Sequence, residues 1–254
     1  MFSKELPRLY ELRDQIKETD CPNAYFRDFE NKLKDSHWKE KYLDFEKEVQ
    51  GLDPVAWEFL KNEAAPYLIK DNETKRGWEQ LFNILQSQAR AYNYLKRIGC
   101  TDVQFIPCSR ISGIKTPDLE GMMGLGKVLC EVKTINMSNE EAENRHNTRV
   151  HGYGDAGGTK DQLEDGFFKK LESDITVAKG QLESYDPDSK ARRMVFIVPN
   201  FDDFFCEYKD RYFRQIDHYF SENPAPHGIE IVLYNQKTAA HKSISMNHVT
   251  IVNE

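Results

Sequence analysis

The residues of this chain best placed to do chemistry together are an aspartate, a glutamate and a lysine. They stand in two short segments, Thr116-Pro117-Asp118 and Cys130-Glu131-Val132-Lys133-Thr134. In an extended strand alternate side chains share a face, so Glu131 and Lys133 project together while Cys130 and Val132 project the other way. A carboxylate and an ammonium are costly to bury on a sheet unless each has a partner or a cation. Gly124 and Gly126 lie between the two segments and suit a turn that folds the Asp118 strand back beside the second strand. Asp118 and Glu131 then converge at one edge. With the Val132 main-chain carbonyl they make a set of hard oxygen donors of the kind Mg²⁺ or Mn²⁺ takes. A cation held there polarises a phosphoryl oxygen and stabilises the leaving oxygen, and Lys133 is placed to orient the attacking water. The chemistry expected of such a set is phosphodiester hydrolysis.

Several elements must hold these residues in place. Val103 to Pro107, the stretch around Thr116 to Met122, and Lys127 to Ile135 read as strands, and their close spacing predicts an antiparallel meander. Upstream, Trp78, Leu81, Phe82, Leu85, Ala89, Tyr92 and Leu95 recur at helical steps, and Gly99 ends the helix. Residues 136–161 are polar and glycine-rich, a loop or lid candidate. Leu163, Phe167, Leu171, Ile175, Ala178, Leu182 and Tyr185 form the stripe of a second helix. The apolar run Arg193 to Pro199 reads as a strand buried on both faces. A helix over Phe204 to Phe220 and a strand over Gly228 to Tyr234 follow. The fold class expected is α/β over residues 71–254, a mixed central β-sheet flanked by helices.

Residues 1–70 read as an N-terminal helical region. Tyr25, Phe26, Phe29 and Leu33 keep helical spacing, as do Trp38, Tyr42 and Phe45. Asp53-Pro54 is an N-cap followed by a proline at the first helical position. These aromatics are expected chiefly in packing between helices. A surface for a substrate, for a protein partner or for a homodimer is the alternative.

The Pro-Asp and Glu-x-Lys pair resembles the PD-(D/E)XK nuclease superfamily over roughly residues 73–235. That resemblance implies a restriction-endonuclease-like core, metal binding by Asp118 and Glu131, and service of the nucleophilic water by Lys133. Many members carry a glutamate on the preceding helix, for which Glu79 is the best match and Glu73 a second candidate. Gln181 and Tyr185 resemble the Gln-x-x-x-Tyr motif of the RecB-type branch. One helical turn separates them, so both could face a nucleic-acid backbone. Lys179 and Arg193, with Lys190 and Arg192, are further candidate backbone contacts. The expected function is a divalent-metal-dependent nuclease acting on DNA or RNA. The rivals are a non-catalytic nucleic-acid- or protein-binding module on the same fold, and a phosphoesterase of small nucleotides.

Composition narrows the field. A net charge of -7 and a pI near 5.6 argue against a protein that coats nucleic acid by bulk charge. Carboxylates that hold cations reconcile acidity with phosphate chemistry, because the ions supply the local positive field. The 5 cysteines show no C-x-x-C pair, which argues against a zinc knuckle or a disulfide framework. No run reaches membrane-spanning length and the N-terminus lacks an apolar leader, so a soluble cytoplasmic protein is expected. Gly152 to Gly157 matches a dinucleotide fingerprint in letters, but no apolar strand precedes it. His146 and His151, with Arg145 and Arg149, are exposed-loop residues that could grip phosphate.

Overall fold

The structure is a computed structural model that describes residues 2–16, 25–68, 78–109, 115–136, 143, 147, 162–200, 208–235, 244–246 and 249–253. The chain forms two compact units: Met1–Tyr94 with Ala142–Gly152, and Leu95–Glu141 with Tyr153–Glu254.

Short polar residues and prolines set the helix starts of the first unit. Its helices are α1 (Pro7–Arg13), α2 (Phe29–Lys32), α3 (Ser36–Gln50), α4 (Pro54–Leu68) and α5 (Glu79–Phe82). A π turn (Asn83–Ser87) then leads into α6 (Gln88–Arg97). Asp35 caps α3 by accepting from the His37 and Trp38 amides. Asp53 caps α4 as expected, accepting from the Ala56 amide at 2.9 Å, and its second oxygen accepts from the Tyr92 hydroxyl at 2.7 Å. At α1 the N-cap position is Leu6, which offers no side-chain acceptor. The buried Glu46 carboxylate supplies it from α3, accepting from the Arg8 and Leu9 amides at 3.0 and 2.9 Å. Phe26, Phe29, Tyr42 and Phe45 are buried, and the ring contacts among them are edge-to-face. Trp38 is the exception to the expected packing, being 44% exposed. The sequence placed the boundary near residue 70. The packing boundary falls between Tyr94 and Leu95, because α5 and the π turn pack on α3 and α4.

In the second unit the expected meander is present. Strands β1 (Thr101–Phe105), β2 (Leu119–Met123) and β3 (Gly126–Ile135) are antiparallel neighbours. Gly124, at φ 60°, makes the β2–β3 turn in a conformation that favours glycine. Helix α7 (Asp165–Tyr185) carries the chain over to β4 (Arg192–Pro199), which runs parallel to β3. Helix α8 (Lys209–Glu222) carries it on to β5 (Glu230–Asn235), parallel again. Two further strands, β6 (Ile244–Met246) and β7 (Val249–Asn253), were not anticipated. The sheet order is β1-β2-β3-β4-β5-β7-β6. β4 stands in the middle and is buried from Arg193 to Pro199, which accounts for its unbroken apolar sequence.

The β3 residues Leu129 and Ile135 enter one core cluster with Leu171, Ile175, Ala178 and Leu182 of α7. The odd-numbered face of β3 therefore lies under α7, and Glu131 and Lys133 belong to that face. This is an α/β fold of N-terminal helices and a mixed sheet with flanking helices. Among the described residues no helix is long and apolar enough to cross a membrane. Most of residues 136–161 and the start of the helix expected from Phe204 lie outside the described residues.

Candidate active site

The pairing of β2 with β3 ends where Leu119 faces Cys130. Asp118 stands one residue before β2, and its carbonyl accepts from the Ile106 amide at 2.9 Å. Beyond Cys130 the edge of β3 has lost its β2 partner. There the Asp118 carboxylate stands in for a strand, its Oδ2 accepting from the Val132 amide at 2.7 Å. A residue's N–H and C=O point to the same edge of a strand, so the Val132 carbonyl faces the Asp118 side too.

Glu131 is only 3% exposed. Lys133 Nζ donates to its Oε1 at 2.7 Å, and Gln181 Nε2 donates to its Oε2 at 3.0 Å. Gln181 also donates to the Thr116 carbonyl at 2.7 Å. One helix side chain thus ties α7 to both segments of the site. The Thr116 carbonyl is a part that side-chain reading missed, since a main-chain acceptor leaves no mark in residue type.

The two carboxylates are close enough to share a hydrogen bond. Burial pushes Asp118 above the usual carboxylate range, against the Val132 amide and the Lys133 ammonium, which pull it down. Burial first, and then the neighbouring Asp118 charge, push Glu131 up to about 7, opposed by Lys133. Two negative charges under a helix are unfavourable together, so the pair has use for one proton or one cation.

The donor set suits a hard cation. Among the described residues no group of three or more His, Cys, Asp and Glu could hold a metal ion. Two carboxylates and a main-chain carbonyl, completed by water, match the habit of Mg²⁺, which keeps several of its waters.

The other candidates scatter. Tyr185 is 37% exposed, and its ring centroid lies 6.0 Å from Lys127 Nζ. Lys179 is two residues from Gln181, about 200° around the helix, and pairs with Glu183 at 3.8 Å. It stands on the opposite flank of α7 from the Glu131 contact. Arg193 is buried, and its guanidinium donates to the Asp186 carbonyl and to Ser189 Oγ, closing the turn between α7 and β4. Arg192 pairs with Glu230 and Lys190 with Asp188. Glu79 is half-buried in the first turn of α5, in the N-terminal unit. Glu73, Arg145, His146, Arg149 and His151 lie outside the described residues.

Compared with family models, with curated proteins and with solved structures, the chain finds no match.

Proposed function

We propose that this chain is a divalent-metal-dependent nuclease that hydrolyses phosphodiester bonds of DNA or RNA. The observation that carries the reading is a carboxylate pair, the buried Glu131 and the partly buried Asp118, held where β3 runs on past β2, beside Lys133 and Gln181. A purely structural ion pair of Glu131 with Lys133 has no need of a second carboxylate that raises the cost of burying the first.

Asp118, Glu131 and the Val132 carbonyl would hold Mg²⁺ or Mn²⁺. The bound ion would polarise the phosphoryl oxygen and neutralise charge on the leaving oxygen. The chain's own groups do the rest. Asp118 is fixed by the Val132 amide and cannot turn away from the edge. Gln181 fixes Glu131 against the segment that carries Asp118, so the two carboxylates keep their spacing. Lys133 carries a positive charge on a flexible arm that is 20% exposed, which lets it reach an attacking water or a phosphate oxygen. Tyr185, one turn beyond Gln181, offers a ring on the same helix to an approaching strand.

The test is cleavage of single- and double-stranded DNA and RNA with Mg²⁺, Mn²⁺ or EDTA, wild type against Lys133→Ala. The reading expects cutting that EDTA abolishes and that falls by about a hundredfold or more in a folded Lys133→Ala protein. Equal cutting by both proteins, or none of any polymer by wild type, removes it.

A further inference from the structure

Asp174 is the one carboxylate of α7 that is buried, at 8% exposure. Its Oδ1 accepts from Lys170, one turn back on the helix. Its Oδ2 is buried and has no hydrogen-bond partner among the described residues. An acceptor left bare in the interior is costly, and its persistence asks for a donor that arrives in another state.

Its position says which donor. Asp174 and Gln181 are seven residues apart, which is two turns, so they share one flank of α7. Gln181 pins that flank to Glu131. α7 connects the parallel strands β3 and β4 and runs back against them. Seven helix residues cover about 10 Å, the length of about three strand residues. Asp174 therefore lies level with the stretch of β3 from Lys133 to Ile135. The shared core cluster of Ile135 with Leu171 and Ile175 agrees with that register. Of the β3 side chains facing α7 in this stretch, Lys133 is the one with a charge to give. In the present state its ammonium is held by Glu131 at 2.7 Å.

We propose that Asp174 is a positioning residue, the second anchor of Lys133. It receives the Lys133 ammonium when Glu131 is taken up by a divalent cation. The proposal rests on the metal-dependent reading above. It gives Lys133 two alternative carboxylate partners, one on its own strand and one on the helix above. A lysine displaced from Glu131 then stays directed over the site instead of turning to solvent, and the bare oxygen of Asp174 gains its donor.

The experiment follows the Lys133 side-chain resonance in protein labelled with ¹³C and ¹⁵N at lysine and with ¹⁵N at valine, assigned by its loss in Lys133→Arg, as Mg²⁺ is added. The Val132 amide is followed alongside as a reporter of binding at the carboxylates. In wild type both signals should move. In Asp174→Asn the Val132 amide should still move, whereas Lys133 should end at a different, solvent-like position. Asp174→Glu, which keeps the charge, should restore the wild-type endpoint and guard against a mere fault of folding. With Mg²⁺ saturating, turnover of an oligonucleotide by Asp174→Asn should fall by about tenfold with KM unchanged. If Val132 responds and Lys133 reaches the same endpoint in wild type and Asp174→Asn, this inference fails and the metal site stands. If Mg²⁺ moves neither signal in wild type, the metal-dependent reading fails and takes the inference with it.

Discussion

At the scale of single residues, Glu131 links stability to pH. Its carboxyl is raised from an ordinary value of 4.5 to about 7 in the folded chain. A carboxyl with a raised folded pKa binds its proton more tightly when folded, so its contribution is complete below 4.5 and is lost as pH rises through about 7. The metal-free protein should therefore melt at a lower temperature at pH 8 than at pH 5. On the proposed reading a cation at Asp118 and Glu131 would do the work of the proton, so Mg²⁺ should raise the melting temperature at pH 8 and have little effect at pH 5. Glu131→Gln should flatten both dependences. Thermal unfolding across this pH range, with EDTA and with Mg²⁺, checks all three. A metal-free protein whose melting temperature rises with pH through this window would overturn the assignment.

At the scale of elements, what could be read from sequence depended on how many residues carried each signal. The ten residues of β3 and the apolar run of β4 were legible because their patterns are long. So was α7, whose buried positions 171, 175, 178 and 182 follow one stripe. The Asp118, Glu131 and Lys133 set was legible because it needs only strand alternation and one turn. β6 was missed because three residues hold less than two repeats of a period-two pattern. The π turn at Asn83–Ser87 follows from packing on α3 and α4, and no residue type announces it. Arg193 reads from sequence as a candidate substrate contact, and its engagement inside the fold is not legible there for a related reason. Its charge is plain in the sequence, while its commitment to Asp186 and Ser189 is a matter of the turn's geometry. Glu46 is another role that only the folded helices define. It caps α1 from α3 and also accepts from Gln50 Nε2 at 3.0 Å. Glu46→Ala leaves the Arg8 and Leu9 amides at the start of α1 without their acceptor and should destabilise the protein by about 2–3 kcal/mol. Glu46→Gln keeps one acceptor oxygen and should cost less. Chemical denaturation of both variants gives the comparison, and equal stability of Glu46→Ala and wild type would deny the capping role.

At the scale of the whole molecule, the charge balance sets how a polyanion can be held. A net charge of -7 repels nucleic acid at long range, and several basic side chains near the sheet are already engaged. Arg192 is paired with Glu230, Lys127 with Glu120 and Arg193 with Asp186. On the proposed reading, much of the positive field that a phosphate backbone requires would come from cations bound at the site, together with Lys133 once Glu131 no longer claims it. Binding, and not only cleavage, should therefore depend on the divalent ion. Lys133→Ala removes one of those charges but separates binding from turnover, so it serves as the protein to measure. Fluorescence anisotropy of a labelled oligonucleotide should show affinity at least about tenfold weaker in EDTA than in Mg²⁺, a difference of about 1.4 kcal/mol. Adding Asp118→Ala should remove the advantage of Mg²⁺ while leaving the EDTA affinity where it was. Raising monovalent salt should weaken the Mg²⁺-dependent complex only modestly, since few lysine and arginine contacts would be releasing counterions. Tight, strongly salt-dependent binding in EDTA would instead mean that a basic surface does the holding, and would place substrate recognition away from the carboxylate pair.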